Sequence, residues 1–235
     1  MMTQDTVGAR LERLRERIAA AASRAGRRPE EVTLVGASKT IEPERMAAAI
    51  AAGLRDLGEN YVQEAQAKLP AVDSPGAAAV RWHLIGHLQS NKARTAVGLF
   101  DIIQTLDSAR LAGVLGRQAA AHGKRIGVLL EVDYTGEPDR TGLAPDRVYE
   151  VAEAALAQPS LELLGLMTVP ALGLPADQTR AVFERLRRLR DDLAVRYPMV
   201  DWRHLSMGMT DDFESAIAEG ATMVRVGRAI FGERP

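Results

Sequence analysis

The stretch Val32-Thr33-Leu34-Val35-Gly36-Ala37-Ser38-Lys39-Thr40 decides how the rest of the chain is read. Apart from Thr33 its first six residues are apolar or glycine, without the alternation of a strand that has one wet face. Such a strand is covered on both sides and belongs to a parallel sheet, so a helix should follow it. Residues 43–52 supply that helix, and the same alternation then runs to the end of the chain. Strands are expected at 32–38, 55–58, 80–85, 100–105, 126–132, 161–169, 202–206 and 223–226. Helices are expected at 43–52, near 61–69, at 90–97, 108–121, 145–157, within 175–196 and at 212–219, with a brief final turn through Ile230. Asp73-Ser74-Pro75-Gly76 reads as a loop. In front stands an amphipathic helix over 7–25, with Leu11, Leu14, Ile18 and Ala22 on one face and Gly26 as its stop.

Eight strand-plus-helix units favour a closed barrel over an open doubly wound sheet. No G-x-G-x-x-G follows the first strand and no G-x-x-x-x-G-K-[ST] occurs, which counts against a nucleotide-binding open sheet. The expectation is an α/β protein, a (β/α)8 TIM barrel with an additional N-terminal helix, forming one domain over 1–235.

Composition narrows the function classes. Of the 235 residues, 46% are hydrophobic and 26% charged, which is ordinary for a globular protein. A formal net charge of −1 gives no global pull toward nucleic acid or anionic membrane, and neither is expected as a partner. There is no cysteine, so disulfides, thiolate metal sites and cysteine nucleophiles are excluded. Met-Met-Thr-Gln-Asp is no secretory start, and the longest apolar stretch, around 46–54, is too short to span a bilayer. A cytoplasmic protein is expected.

In a barrel of this kind the site lies at the carboxyl ends of the strands. There the chain places Ser38-Lys39-Thr40, Gly58-Glu59-Asn60, Trp82-His83, Met167-Thr168, Ser206-Met207-Gly208 and Arg225-Val226-Gly227-Arg228. Lysine is scarce, occurring only at 39, 68, 92 and 124; Lys68 and Lys124 read as solvated cations. Lys39 has two readings that the pattern leaves open. It is a snorkelling strand-end cation, or a partly desolvated amine whose neutral form attacks a carbonyl. The turns after strands seven and eight, with Ser206, Gly208 and Gly227, suit a phosphate. His83 and His87 stand four apart with no carboxylate in register, so no metal site is expected. His122 and His204 belong to no visible constellation. The helix charges Glu12 and Arg15 read as a solvated face.

Several stretches together resemble the pyridoxal-phosphate homeostasis protein family, which is related to the N-terminal domain of alanine racemases. They are Val35-Gly36-Ala37-Ser38-Lys39-Thr40, Gly58-Glu59-Asn60-Tyr61-Val62-Gln63-Glu64, Trp82-His83-Leu84-Ile85-Gly86-His87-Leu88-Gln89-Ser90-Asn91-Lys92 and Gly165-Leu166-Met167, followed by Leu205-Ser206-Met207-Gly208-Met209-Thr210 and Arg225-Val226-Gly227-Arg228-Ala229-Ile230-Phe231-Gly232. The resemblance implies pyridoxal 5′-phosphate (PLP) bound as a Schiff base on Lys39. It implies that Ser206, Gly227 and Arg228 hold the phosphate, largely through backbone donors. Arg225 would face the pyridine nitrogen, and Asn60, His83 and Met167 would line the pocket. The chain departs from the family's usual pattern at Arg228, at Gln104-Thr105-Leu106-Asp107-Ser108 and at Asp139-Arg140-Thr141-Gly142, where a threonine, a His-Ser-Val-Asp-Ser run and a lysine-rich loop are common.

Two functions compete. One is a PLP carrier in intracellular vitamin B6 homeostasis, with no catalytic residue and with PLP-dependent apoenzymes as recipients. The other is an amino-acid racemase, which needs an acid/base group on each face of the substrate. In alanine racemases the second group is a tyrosine of another domain. Here the chain stops at Pro235 and none of Tyr61, Tyr134, Tyr149 and Tyr197 falls plainly at a strand end, so the carrier, as a monomer, is the expectation.

Overall fold

The computed structural model describes residues 6–137 and 139–232. The outermost residues of the expected 1–235 domain, the opening Met-Met-Thr-Gln-Asp among them, lie outside the described residues. The strands are β1 (Thr33–Ala37), β2 (Asp56–Glu59), β3 (Arg81–Leu84), β4 (Ile102–Leu106), β5 (Ile126–Glu131), β6 (Leu161–Met167), β7 (His204–Ser206) and β8 (Met223–Val226). They are all parallel, in chain order, and β8 closes on β1 with Val35 opposite Arg225 and Gly36 opposite Val226. The expected barrel is the observed one, not the open sheet.

The helices are α1 (Val7–Arg24), α2 (Pro43–Ala51), α3 (Val62–Lys68), α4 (Ala93–Leu99), α5 (Ala109–Ala121), α6 (Val148–Leu156), α7 (Ala176–Arg196), α8 (Phe213–Ala218) and α9 (Arg228–Phe231). Among the described residues the eighth strand is followed by only the four-residue α9, too little to cover the seam between β8 and β1. Helix α1 supplies the missing cover: it packs on α2, α8 and α9 and buries Leu11, Leu14, Ile18, Ala21 and Ala22. Thr6 caps its start, its hydroxyl accepting from the Ala9 N–H. Arg15 is not a merely solvated charge. Its guanidinium donates to the carbonyls of Ala52 (3.1 Å) and Gly53 (2.7 Å), which the end of α2 leaves without intrahelical partners.

Apolar residues divide into two cores. The larger lies between strands and helices; the smaller fills the barrel lumen with Val35, Ile102, Leu129, Leu164, Met167 and Met223. Leu164 and Met167 are three apart, which strict alternation would send to opposite faces. A bulge reconciles them. The β5–β6 register slips so that Val128 pairs with Leu163 but Leu129 with Gly165, and Gly165 takes φ +152°. The extra residue turns Met167 inward.

Candidate functional site

The carboxyl ends of β6, β7, β8 and β1 meet at one rim of the barrel. Lys39 lies two residues beyond β1 in a turn, half-buried. Thr40, next to it, has φ +62°, the only positive φ on a non-glycine among the described residues. A left-handed residue of this kind costs about 1–2 kcal/mol, so its surroundings must hold it. Gly227 continues the β1–β8 pairing beside Ala37: a Cβ there would stand 3.1 Å from the Ala37 carbonyl oxygen. Gly208 lies against β8 through the Arg225 N–H, which donates to its carbonyl at 2.9 Å. Arg228 opens α9, and its side chain pairs with Asp211 at the surface.

Inside the mouth a directed chain of hydrogen bonds crosses the lumen. Arg225 donates from Nη1 to Ser206 Oγ at 2.7 Å and from Nη2 to the Thr168 carbonyl at 2.8 Å. Ser206 Oγ donates to Gln104 Oε1 at 2.6 Å, and Gln104 Nε2 lies 2.9 Å from His83 Nδ1. His83 Nε2 lies 2.9 Å from Asp56 Oδ1, and Asp56 pairs with Arg81 near the barrel floor. With the Gln104 amide oriented as its bond to Ser206 requires, Nε2 of Gln104 donates to His83 Nδ1 and His83 Nε2 donates to Asp56. Burial works against the charge on Asp56, but the hydrogen bonds from His83 and Arg81 outweigh it and hold the carboxyl below its usual range. Burial pushes Arg225 down to about 10, which leaves it a cation at neutral pH. Cations stand at both ends, with Asp56 and a chain of hydrogen-bonded side chains between them.

The predicted residues therefore fall into three groups. Lys39, Met167, Ser206, Arg225, Gly227 and Arg228 share the rim formed by strands six to eight and one. His83 sits deeper, completely buried, and reaches Arg225 only through Gln104 and Ser206. Asn60 lines a different cleft of about 410 Å³ with Tyr61, Gln63, Gly86, His87, Gln89 and Lys92. The Ser206 hydroxyl is already bonded on both sides, and the Ser206 carbonyl accepts from the Thr168 N–H at 3.1 Å.

Sequence reasoning gave no site role to Gln104, Glu131, Asp56 or Lys68. Gln104 and Glu131 carried a signal: each is a polar residue inside an apolar strand run. Replacing Gln104 with leucine should strand both the Ser206 hydroxyl and His83 Nδ1. Urea unfolding should then show a loss of about 2–4 kcal/mol, since each unsatisfied buried group costs about 1–3 kcal/mol; a loss below about 1 kcal/mol would contradict the chain as drawn. Lys68 was read as a solvated cation, but its side chain is only 10% exposed and its ammonium lies 2.8 Å from Glu59 Oε1. The reason is tertiary: α3 ends beneath the Lys39 turn, where carbonyls and carboxylates converge. Lys124 is exposed, yet it also donates to the Val97 carbonyl (3.2 Å) and the Gly98 carbonyl (3.3 Å) near the end of α4. His87, exposed at the rim, pairs through Nδ1 with Asp107 at 3.0 Å. No cluster of three or more possible metal ligands exists among the described residues.

Glu131 ends β5 pointing inward, buried, with Thr141 donating to Oε1 at 3.3 Å and nothing bonded to Oε2. Burial, with Asp107 nearby, raises its carboxyl from 4.5 to about 7. The folded protein thus keeps a proton that the unfolded chain releases. The stability this gives is complete below pH 4.5 and is lost as pH rises toward 7. His204, pushed by burial to about 4, has the opposite slope, stabilising the fold as pH rises toward 6.5. The parent alone therefore mixes the two. The difference in stability between the PLP-free parent and Glu131→Gln should fall by up to about 3 kcal/mol between pH 4.5 and 7 and stay level above it. A pH-independent difference would refute the raised carboxyl.

The family model for "Alanine racemase, N-terminal domain" matches residues 9–235. A pyridoxal phosphate homeostasis protein of Escherichia coli strain K12 is 42% identical over 227 residues, 95% of either chain. The chain belongs to the pyridoxal phosphate homeostasis protein family. Another homeostasis protein, from Aquifex aeolicus, is 42% identical over 96% of this chain and 97% of its own length. Among solved structures, PipY of Synechococcus elongatus PCC7942 with PLP bound is 37% identical, with a TM-score of 0.86, covering 97% of this chain and all of that one. An alanine racemase of Clostridium difficile 630, 16% identical, shares only the fold: its TM-score is 0.73, and the match spans 99% of this chain but 58% of the racemase.

Proposed function

We propose that the chain binds PLP at the barrel mouth, covalently as a Schiff base on Lys39, and serves PLP homeostasis as a holder without turnover. The observation that carries the binding is PipY with PLP bound, a full-length relative of the same fold at 37% identity. The residues at the mouth fit the group. Arg225 is a buried cation, Gly227 lets the backbone after β8 lie close to Ala37 beside the Lys39 turn, and the Glu131 Oε2 atom is buried without a partner. In this reading Ser206, Gly227 and Arg228 hold the phosphate through their backbone, and Arg225 faces the pyridine nitrogen. Met167 and Asn60 line the pocket; His83 supports its floor through Gln104.

PLP supplies an electrophilic carbon and a ring that withdraws electrons when its nitrogen is protonated. Arg225 stays charged at neutral pH, so it disfavours that protonation and suits a holder. The racemase reading needs a second base; Tyr61, exposed two residues beyond β2, lines the Asn60 cleft rather than the Lys39 rim. Tyr134 follows β5, but burial pushes its phenol up to about 12 and it packs with the shell between strands and helices rather than in the lumen. The reading extends to a cytoplasmic monomer that passes PLP to apoenzymes and binds neither nucleic acid nor membrane. Among the described residues no helix is long and apolar enough to cross a membrane.

The purified protein should be yellow, and borohydride should fix PLP on one peptide containing Lys39. A colourless protein indifferent to added PLP refutes the binding. Racemisation of amino acids that disappears in Lys39→Ala refutes the holder.

A further inference from the structure

We propose that Lys68 is a positioning residue that locks the turn carrying Lys39; this rests on the reading of Lys39 as the attachment point. The Lys68 ammonium lies 2.6 Å from the Ser38 carbonyl oxygen, 2.8 Å from Glu59 Oε1, 2.8 Å from Glu64 Oε1 and 3.5 Å from the Ile41 carbonyl oxygen. Its three protons are thereby committed to oxygens on both flanks of Lys39. The two carboxylates carry the grip further. Ser38 Oγ donates to Glu59 Oε1 at 2.6 Å, and the Thr40 N–H donates to Glu64 Oε1 at 2.6 Å. Residues 38, 40 and 41 are thus tied through one buried cation to the end of β2 and to α3, and Lys39 is the residue between them.

Two further features say that this clamp has a task. Thr40 is held at φ +62°, which a threonine does not keep unless its neighbours impose it. Glu59 is wholly buried and its Oε2 has no partner, so a costly carboxylate is kept under the turn, where an apolar pair would pack more cheaply. An amine that must meet an aldehyde at one place gains from a backbone with one conformation. Lys68 supplies that restraint without touching the ligand.

The test uses PLP titrations of the full chain, followed by absorbance and by borohydride fixation on the Lys39 peptide. Lys68→Met should raise the half-saturating PLP concentration at least about tenfold and move the pH midpoint of the linkage, because a loosened turn lets water reach the amine. Lys68→Arg, which keeps a cation on the two carboxylates, should restore most of the loss. Thr40→Gly leaves Lys68 intact and removes the strain, so it should be at least as stable as the parent without PLP, yet bind PLP at least about threefold more weakly. It also answers the case in which Lys68→Met does not fold. Parent-like PLP binding and pH profile in Thr40→Gly, and in Lys68→Met if it folds, overturn the proposal. A parent that fixes no PLP at Lys39 overturns the attachment reading instead, and the two failures are distinct.

Discussion

Lys39→Ala should lose PLP on gel filtration where the parent keeps it, and its half-saturating PLP concentration should rise about 100-fold, equivalent to about 2.7 kcal/mol. The substitution removes the amine and leaves Arg225, Ser206 and Gly227 untouched, so weak binding should survive. Thermal unfolding gives an independent reading. At a PLP concentration about 100 times the parent's dissociation constant, binding adds about 2.7 kcal/mol to parent stability but only about 0.4 kcal/mol to the variant. For a chain of this size that is a rise in melting temperature of about 5–11 °C against about 1 °C. Each rise is taken against that protein's own PLP-free melting temperature, so any contribution of Lys39 to the PLP-free fold drops out. Equal rises in both proteins would remove Lys39 from the site.

The largest effect on the fold is expected at Gly165. A Cβ on this residue would stand 1.9 Å from the His204 carbonyl oxygen and 2.7 Å from the His204 carbonyl carbon, and both belong to the backbone of the neighbouring strand. No rotamer relieves that contact, and φ +152° disfavours any side chain. Gly165→Ala must prise β6 from β7 or undo the bulge, which would turn Met167 out of the lumen. A loss above about 4 kcal/mol is expected, and with it a fall in melting temperature of about 8–16 °C or failure to fold. Gly98→Ala makes the same chemical change in α4, where nothing lies within 4 Å of the new methyl. It should be neutral or gain about 0.5–1 kcal/mol. Similar effects at the two positions would mean that the backbone contact at Gly165 is not as described.

Much of the fold was legible because it follows from what each segment must bury. Apolar runs without alternation in residues 32–38 and 126–132 require cover on both faces, and eight such runs separated by amphipathic stretches close into a barrel. The rim positions of Lys39, Ser206 and Gly227 follow from counting strand ends. Less legible was the part played by α1. Its apolar face was plain, but that it stands in for a full eighth helix depends on α9 being only one turn long.

The polar interior was not legible. Ser206 and Gln104 are 102 residues apart in sequence, and Gln104 and His83 are 21 apart, yet each pair shares a hydrogen bond in the lumen. Hydrophobic periodicity tells which face of a strand turns inward; it does not tell which inward atoms meet. Lys68 failed for the same reason, since a lysine at the end of an amphipathic helix reads as solvated until the turn above it is in place.

The sequence by itself determined the order of elements, the closure of the barrel and the residues at its mouth, because burial of apolar surface is a property of each segment. Only the tertiary structure decided that Met167 turns inward, that Ser206 serves Arg225 and Gln104, and that Lys68 grips the Lys39 turn. Those outcomes depend on directed contacts of a few ångströms between distant parts of the chain, and no local pattern encodes them.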